Sequence, residues 1–186
     1  MVCGELRSSW VNINRLSSTT RAKTHFDKVF AEPRHAQADI VILLVGFNDG
    51  RQRRYPEITP EQTVQNISST ARVLRNMGKE VWIFPIATHG DEDYLHPDYG
   101  DRFYEANVRR NELLLDWLSN TKDPEIRTGP LIYAFNFEYR HPSLWYHDGE
   151  HFSSKGYKKV AKDLFDELAP SLVKREFAKF SKQLFK

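Results

Sequence analysis

The residues with the clearest chemical potential follow a short apolar run. Gly46-Phe47-Asn48-Asp49 comes directly after the segment 40–45, which reads IVILLV. A glycine lets the chain leave a strand in a tight turn, and a side-chain amide held at a strand end can donate a hydrogen bond to a developing oxyanion. The same residues are also common in an ordinary turn from a strand into a loop. Asn48 is therefore a candidate oxyanion donor.

A second group lies about a hundred residues further along the chain. Asp148 and His151 are three residues apart in the sequence DGEHFSSKGY. On a loop, that spacing lets the carboxylate fold back onto the imidazole, fix its tautomer and stabilise the imidazolium, as a base that activates a hydroxyl requires. The alternative is a turn aspartate beside a surface histidine. The pair is a candidate base with its orienting carboxylate.

A metal site competes for the same segment. His147, Glu150 and His151 match the pattern His-x-x-Glu-His of one class of zinc peptidases. That chemistry requires both histidines on one face of a helix. Gly149 interrupts the segment and Ser153 is a helix-capping residue, so a helix across 147–151 is disfavoured. We predict no metal at this site.

Strand-like and helix-like patterns alternate through most of the chain. A short apolar run without alternation is typical of a strand buried on both faces of a parallel sheet, whereas apolar residues every three to four positions indicate a helix. Thr59, Pro60 and Gln62 form a capping box with proline at the first helical position. The predicted strands are 40–45, 80–84 and 131–135, and the predicted helices are 60–77, 102–119 and a core helix that follows Ser153.

This β-α alternation predicts an α/β protein, with a parallel sheet between two helical layers. Sites in such sheets lie outside the carboxyl ends of the strands. The loops after Val45, Phe84 and Phe135 should therefore converge.

Together the two groups resemble two sequence blocks of the SGNH hydrolases, also called the GDSL esterase/lipase family. Gly46-x-Asn48-Asp49 is similar to the third block, and Asp148-x-x-His151 with Gly156-Tyr157 is similar to the fifth. The resemblance covers residues 38–169. It implies a flavodoxin-like three-layer fold and ester hydrolysis without a metal or organic cofactor. It also implies that His151 is the base, that Asp148 orients it and that Asn48 donates to the oxyanion.

The chain departs from the family at the nucleophile, because it contains no Gly-Asp-Ser. Gly4-Glu5-Leu6 is the closest string and would place a leucine at the nucleophile position. Two βα units before Ile40 need about 45 residues, and 39 are present. Either the N-terminal half is compact, or the chain begins inside the fold and Gly4 is the second-block glycine of the oxyanion hole. Ser8 and Ser9 are the nearest hydroxyls and are candidates for a displaced nucleophile.

The composition is that of a globular protein, and the length is that of a single domain. It has 186 residues, of which 40% are hydrophobic and 28% are charged. The net charge of +2 gives no global reason to expect nucleic acid, and one cysteine, Cys3, excludes an intrachain disulfide framework. With no signal-peptide pattern and no apolar run long enough to span a bilayer, we expect a cytoplasmic protein.

Two basic regions could contact partners. Arg51, Arg53 and Arg54 follow the Asn48 loop and are either solvated or a site for an anionic substrate. We divide the chain into a hydrolase-like domain, 1–169, and a basic amphipathic helix, 170–186, opened by Pro170. That helix is expected to pack on its own domain, and the alternative is docking to a partner or an acidic membrane.

These observations support two functions. The first is hydrolysis of a small ester, with acyl chain and leaving group undefined and activity impaired by the missing serine. The second is a catalytically inactive module on the same fold that binds RNA, an anionic ligand or a protein partner. The histidine, carboxylate and amide favour the first, and the absence of Gly-Asp-Ser favours the second.

Overall fold

A computed structural model describes residues 32–50, 58–87, 100–132, 137–139, 141–146 and 151–184 of the chain. Several residues singled out by the sequence lie outside these ranges: Gly4, Ser8, Ser9, Arg51, Arg53, Arg54 and Asp148.

The described part of the sheet has three parallel strands. They are β1 (Ile40–Leu43), β2 (Glu80–Ile83) and β3 (Ile126–Thr128), in the spatial order β1-β2-β3. Ile40 pairs with Glu80, and Val81 pairs with Ile126. The parallel sheet and its connecting helices confirm the α/β fold predicted from the alternating pattern.

Four helices accompany these strands in the described ranges. They are α1 (Pro33–Ala36), α2 (Pro60–Asn76), α3 (Gly100–Asn120) and α4 (Ser154–Leu184). Three short 3-10 turns cover Phe47–Gly50, Phe137–Tyr139 and Pro142–Leu144. No helix in these ranges is both long enough and apolar enough to cross a bilayer.

Helix α2 begins where its capping box predicts. The Gln62 backbone N–H donates to Thr59 Oγ1 at 3.2 Å, and the Thr59 N–H donates to Gln62 Oε1 at 3.0 Å. The two bonds satisfy groups that a helix start leaves without partners, a contribution of about 1 kcal/mol. Gly78 follows the helix with φ +78°, which lets the chain turn directly into β2.

The strand side chains divide the core into two halves. Val41 and Leu43 of β1 and Val81 and Ile83 of β2 pack with apolar residues of α2 and α3. On the other face, Trp82 packs with the apolar side of α4. Because successive side chains of a strand point to opposite faces, the sheet lies between two helical layers.

The third strand is not where the sequence placed it. The prediction of a strand at 131–135 is wrong for its described residues, because Leu131 and Ile132 lie outside any strand and β3 lies at Ile126–Thr128. Pro130 lacks a backbone donor, and the Ile132 N–H turns back to the Pro130 carbonyl at 2.9 Å. Leu131 and Ile132 therefore lie in a turn, and the less apolar segment Ile126–Thr128 pairs with β2.

The last helix is also longer than predicted. α4 continues through Pro170 to Leu184, so the prediction that a new helical segment opens at Pro170 is wrong. An interior proline removes a helical hydrogen bond at a cost of about 3 kcal/mol. Contacts from Ser171 and Arg175 to the sheet hold the helix on the far side of the proline.

Those contacts converge on a buried carboxylate at the start of the middle strand. The Glu80 side chain is 3% exposed. Its Oε1 accepts from Trp82 Nε1 at 2.9 Å and from Ser171 Oγ at 2.8 Å, and its Oε2 accepts from Arg175 Nη2 at 2.8 Å. Arg127 Nε lies 3.1 Å from Oε1. The carboxylate thus ties β2, β3 and α4 together.

The partners of Glu80 also control its ionisation. Burial by itself would raise the pKa of this carboxyl, but the hydrogen bonds from Ser171, Arg175 and Trp82 and the charge of Arg175 outweigh burial, so the pKa is lowered. A carboxyl whose folded pKa lies below its unfolded value stabilises the fold above the unfolded pKa. That contribution is lost as the pH falls through the folded pKa.

We predict that Glu80→Gln lowers the free energy of unfolding by about 3–5 kcal/mol at pH 7, because Arg175 loses its buried partner. The variant should also lose part of the decline in stability that the unmodified chain shows below about pH 4. Urea unfolding at pH 7 and pH 3.5 measures both effects.

Glu112→Gln is the matched control for Glu80→Gln. Glu112 forms an exposed ion pair with Arg109 at 3.0 Å, and such pairs contribute at most about 1 kcal/mol. Equal stability losses in the two variants would contradict the assigned role of Glu80.

Candidate functional site

The turn after β1 places Asn48 at the carboxyl end of the sheet. Asn48 lies in the 3-10 turn Phe47–Gly50, which follows shortly after Leu43, the last residue of β1. Gly46 has φ +102°, and a Cβ there would lie 3.0 Å from Ile86 Cδ1. The positive φ therefore favours glycine, and the Ile86 side chain would have to shift to admit a Cβ.

A buried polar network holds this turn in place. Thr63 Oγ1 donates to Asp49 Oδ2 at 2.8 Å and accepts from Arg110 Nε at 3.1 Å. Arg110 Nη2 donates to the Ile58 carbonyl, and the Ile58 N–H donates to the Asp49 carbonyl at 3.2 Å. Asp49, Thr63 and Arg110 are all buried. The network therefore joins Asp49 and Ile58 to α2 and α3.

The Asn111 side chain holds the segment after β2. Asn111 Oδ1 accepts from the Ile86 N–H at 2.7 Å, and Asn111 Nδ2 donates to the Ile86 carbonyl at 2.9 Å. One turn earlier on α3, Asn107 is buried, and its Oδ1 has no hydrogen-bond partner among the described residues. Polar side chains of α3 thus line the region where the strands end.

Sequence reasoning missed this network. Between residues 107 and 120 of α3, the buried residues are Asn107, Arg110, Asn111, Leu114 and Leu118. Their spacing is that of a core-facing helical stripe. Three polar residues at the apolar positions of a helix are the signal that could have identified a polar core beside the site.

A short antiparallel pairing positions His151. Trp145 and Phe152 form a β-bridge, and the Tyr146 N–H donates to the His151 carbonyl at 2.7 Å. The Ser153 N–H donates to the Leu144 carbonyl at 2.8 Å. The His151 backbone is thus bonded into the pairing, while its side chain is exposed.

Aromatic packing anchors the same segment. The Trp145 and Phe152 rings are stacked with centroids 4.5 Å apart, and Trp145 Nε1 donates to the Tyr139 carbonyl at 2.8 Å. Tyr139 Oη donates to Asp163 Oδ2 of α4 at 2.6 Å. Burial, followed by this hydrogen bond and the charge of Asp163, raises the pKa of Tyr139. The phenol therefore remains a neutral donor to α4.

Helix α4 starts directly after His151. Ser153 Oγ accepts from the Gly156 N–H at 3.1 Å, which confirms Ser153 as the helix cap. A Cβ on Gly156 would lie 2.0 Å from the Leu144 carbonyl oxygen. Glycine is thus required where the first turn of α4 passes against the segment that pairs with Phe152.

The direction of α4 puts His151 and the Asn48 turn on the same side of the sheet. Ser171 and Arg175 contact Glu80, and Lys179 contacts Asp39, so the C-terminal half of α4 lies at the amino ends of the strands. Leu164 and Leu168 pack in the core with Trp82 and Phe84. The start of α4, about 25 Å before Ser171 along the helix axis, therefore lies at the carboxyl side.

The predicted site residues are thus located in part. Asn48 and His151 lie on elements at the carboxyl side of the sheet, and His151 precedes α4 rather than lying on it. The other predicted site residues, Asp148 among them, fall outside the described residues, so their roles stay predictions.

Comparison with known families agrees with the resemblance. The family profile of GDSL-like Lipase/Acylhydrolase matches residues 6–164. The match covers most of the chain, so the protein belongs to this family, and the SGNH hydrolase fold predicted from the two sequence blocks is confirmed. Membership supports a hydrolase of esterase type in general terms. No curated protein matches the chain.

We predict that Thr63→Val destabilises the protein by about 1–3 kcal/mol, because the isosteric change removes the hydroxyl between Asp49 and Arg110 and leaves buried polar groups with fewer partners. Thr70→Val on the same helix is the matched control, with an expected change within about 0.5 kcal/mol. Urea unfolding of both variants tests the role of the network, and equal effects would argue against it.

Proposed function

We propose that the chain is an SGNH-type carboxylic ester hydrolase. A hydroxyl nucleophile attacks the ester carbonyl while His151 takes its proton, and Asp148 orients and stabilises the imidazolium. Asn48 donates to the tetrahedral oxyanion. The alcohol leaves with the proton from His151, and water then releases the acyl group by the same base catalysis.

The observation that carries this proposal is the family match over residues 6–164, which includes both sequence blocks. The geometry is compatible with it. Both Asn48 and His151 lie on segments anchored by buried contacts at the carboxyl side of the sheet, where α/β proteins bind their ligands. The His151 side chain is exposed, so it is accessible to a substrate.

The nucleophile cannot be assigned from the family pattern, because the sequence has no Gly-Asp-Ser. We assign Ser8 as the first residue to test, with Ser9 beside it, and Gly4 as a candidate backbone donor to the oxyanion. With no well-placed hydroxyl, His151 and Asn48 can only assist attack by water. Activity is then far below that of a complete triad.

The alternative is an inactive module of the same fold. The missing serine favours it, and Arg51, Arg53 and Arg54, which follow the Asn48 turn in the sequence, supply the charge for RNA, an anionic ligand or a protein partner.

We predict weak hydrolysis of short chromogenic acyl esters by the purified chain. His151→Ala should lower kcat by at least about 100-fold, because the general base is lost. Ser8→Ala should lower it as strongly if Ser8 is the nucleophile, because members of a triad act as a unit. His141→Ala, which changes another exposed histidine, should retain the activity.

The result of this assay separates the two functions. Activity that survives His151→Ala would overturn the esterase proposal. The inactive module would then be tested by titrating RNA against variants with Arg51, Arg53 and Arg54 replaced. A loss of activity in His151→Ala but not in Ser8→Ala would indicate that Ser9 or water is the nucleophile.

A separate prediction concerns Asn48. Asn48→Ala should lower kcat by about 100- to 1,000-fold with little change in KM, because an oxyanion donor acts mainly in the transition state. Steady-state kinetics on the same esters measure this. A rise in KM at unchanged kcat would instead make Asn48 a residue that binds the ground state.

A further inference from the structure

The C-terminal part of α4 carries a continuous apolar surface. Four of its side chains are largely exposed: Val173 at 69%, Phe177 at 71%, Phe180 at 57% and Leu184 at 63%. Their spacings of four, three and four residues place them within about 60° of one another around the helix. We call these four residues the apolar stripe.

The helix cannot turn this stripe inward. Ser171 and Arg175 on the opposite side are bonded to the buried Glu80. One turn further on, Lys179 Nζ lies 3.1 Å from Asp39 Oδ2. Rotation of α4 about its axis would break the Ser171 and Arg175 contacts and leave the buried Glu80 carboxylate with fewer donors, which is unfavourable. The apolar stripe therefore faces away from the domain in the described structure.

The segment of α4 that carries the apolar stripe has a net positive charge. From Ser171 to Leu184 the helix has four basic residues and one acidic residue, Glu176. Lys174 and Lys182 are exposed and form no ion pair within the part of the chain that the structure describes. Two copies meeting through this segment would bring two like net charges together, whereas an anionic surface would attract the segment.

We propose that the apolar stripe docks on anionic lipid. The four apolar side chains enter the boundary between headgroups and acyl chains, as in a basic amphipathic helix that lies in a membrane interface. Lys174, at the border of the stripe, contacts the acidic headgroups. Lys182 lies on the opposite side of the helix and adds attraction at low salt, because the screening distance of about 30 Å at 0.01 M then exceeds the helix width of about 10–12 Å.

Lipid docking does not depend on the esterase function. The stripe lies beyond the amino ends of the strands, whereas the Asn48 turn follows a carboxyl end. Loss of one activity therefore need not affect the other, and the two proposals can fail separately.

Sedimentation of the full-length chain with sucrose-loaded vesicles tests this docking. Vesicles of phosphatidylcholine with about a quarter phosphatidylserine should bind the chain at low salt and release it as salt rises, because surface charges are screened. Phe177→Ser with Phe180→Ser should weaken binding at least tenfold. Phe165→Ser is the matched control, since Phe165 is 63% exposed on the same helix but lies outside the stripe.

Charge reversal completes the test. Lys174→Glu with Lys182→Glu should weaken binding at least tenfold without changing the melting temperature. Absence of binding to phosphatidylserine vesicles, or equal binding to pure phosphatidylcholine, would overturn the proposal.

Other occupants of the stripe give different results. A dimer in size-exclusion chromatography that Phe177→Ser converts to a monomer would assign the stripe to a second copy. A melting temperature lowered by more than about 5 °C in the double phenylalanine variant would show that the chain itself covers the stripe. Either result would overturn lipid docking.

Discussion

The buried carboxylate of Glu80 is the interaction on which the arrangement of this protein depends. It lies at the first residue of the middle strand and receives donors from β2, β3 and α4. A buried ion without its partner is costly, so the helix can neither slide nor roll without a large loss of stability. Because α4 is one continuous helix of 31 residues, its position at Glu80 also sets the direction of its two ends. One end follows His151, and the other presents the apolar stripe.

In the candidate site, the residues that position the loops differ from those proposed to act on a substrate. Asp49, Thr63, Arg110 and Asn111 are buried and bonded to one another or to backbone groups of the loops. They hold the segments after β1 and β2. Asn48 lies on the turn after β1, and His151 lies on the segment before α4. Polar residues of this kind are costly to bury unless they are satisfied, so their presence in the core indicates that loop position is under strong constraint.

The sequence predicted the parts of the fold with strong local signals. The apolar run 40–45 located β1, and the capping box located the start of α2. Both predictions succeeded because these local signals agree with the tertiary structure. Leu131 and Ile132 were wrongly assigned to a strand because their segment is more apolar than β3, whereas Ile126 and Thr128 are the residues that pair with Val81 and Ile83. Pro170 misled because contacts from Ser171 and Arg175, distant in sequence, compensate for a locally unfavourable residue. The polar network around Thr63 could not be predicted from patterns that treat every core-facing position as apolar.

The sequence distances within the Glu80 cluster constrain the order in which the molecule can fold. β1 and β2 pair across 40 positions through α2, a local crossover unit that can close early. Glu80 is separated from Ser171 by 91 positions and from Arg175 by 95. Until α4 arrives, the carboxylate must keep its hydration, and the amino edge of the sheet therefore stays open to water. Docking of the last helix is then the step that dehydrates this edge, and the indole of Trp82, bonded to the same carboxylate, changes its surroundings in that step.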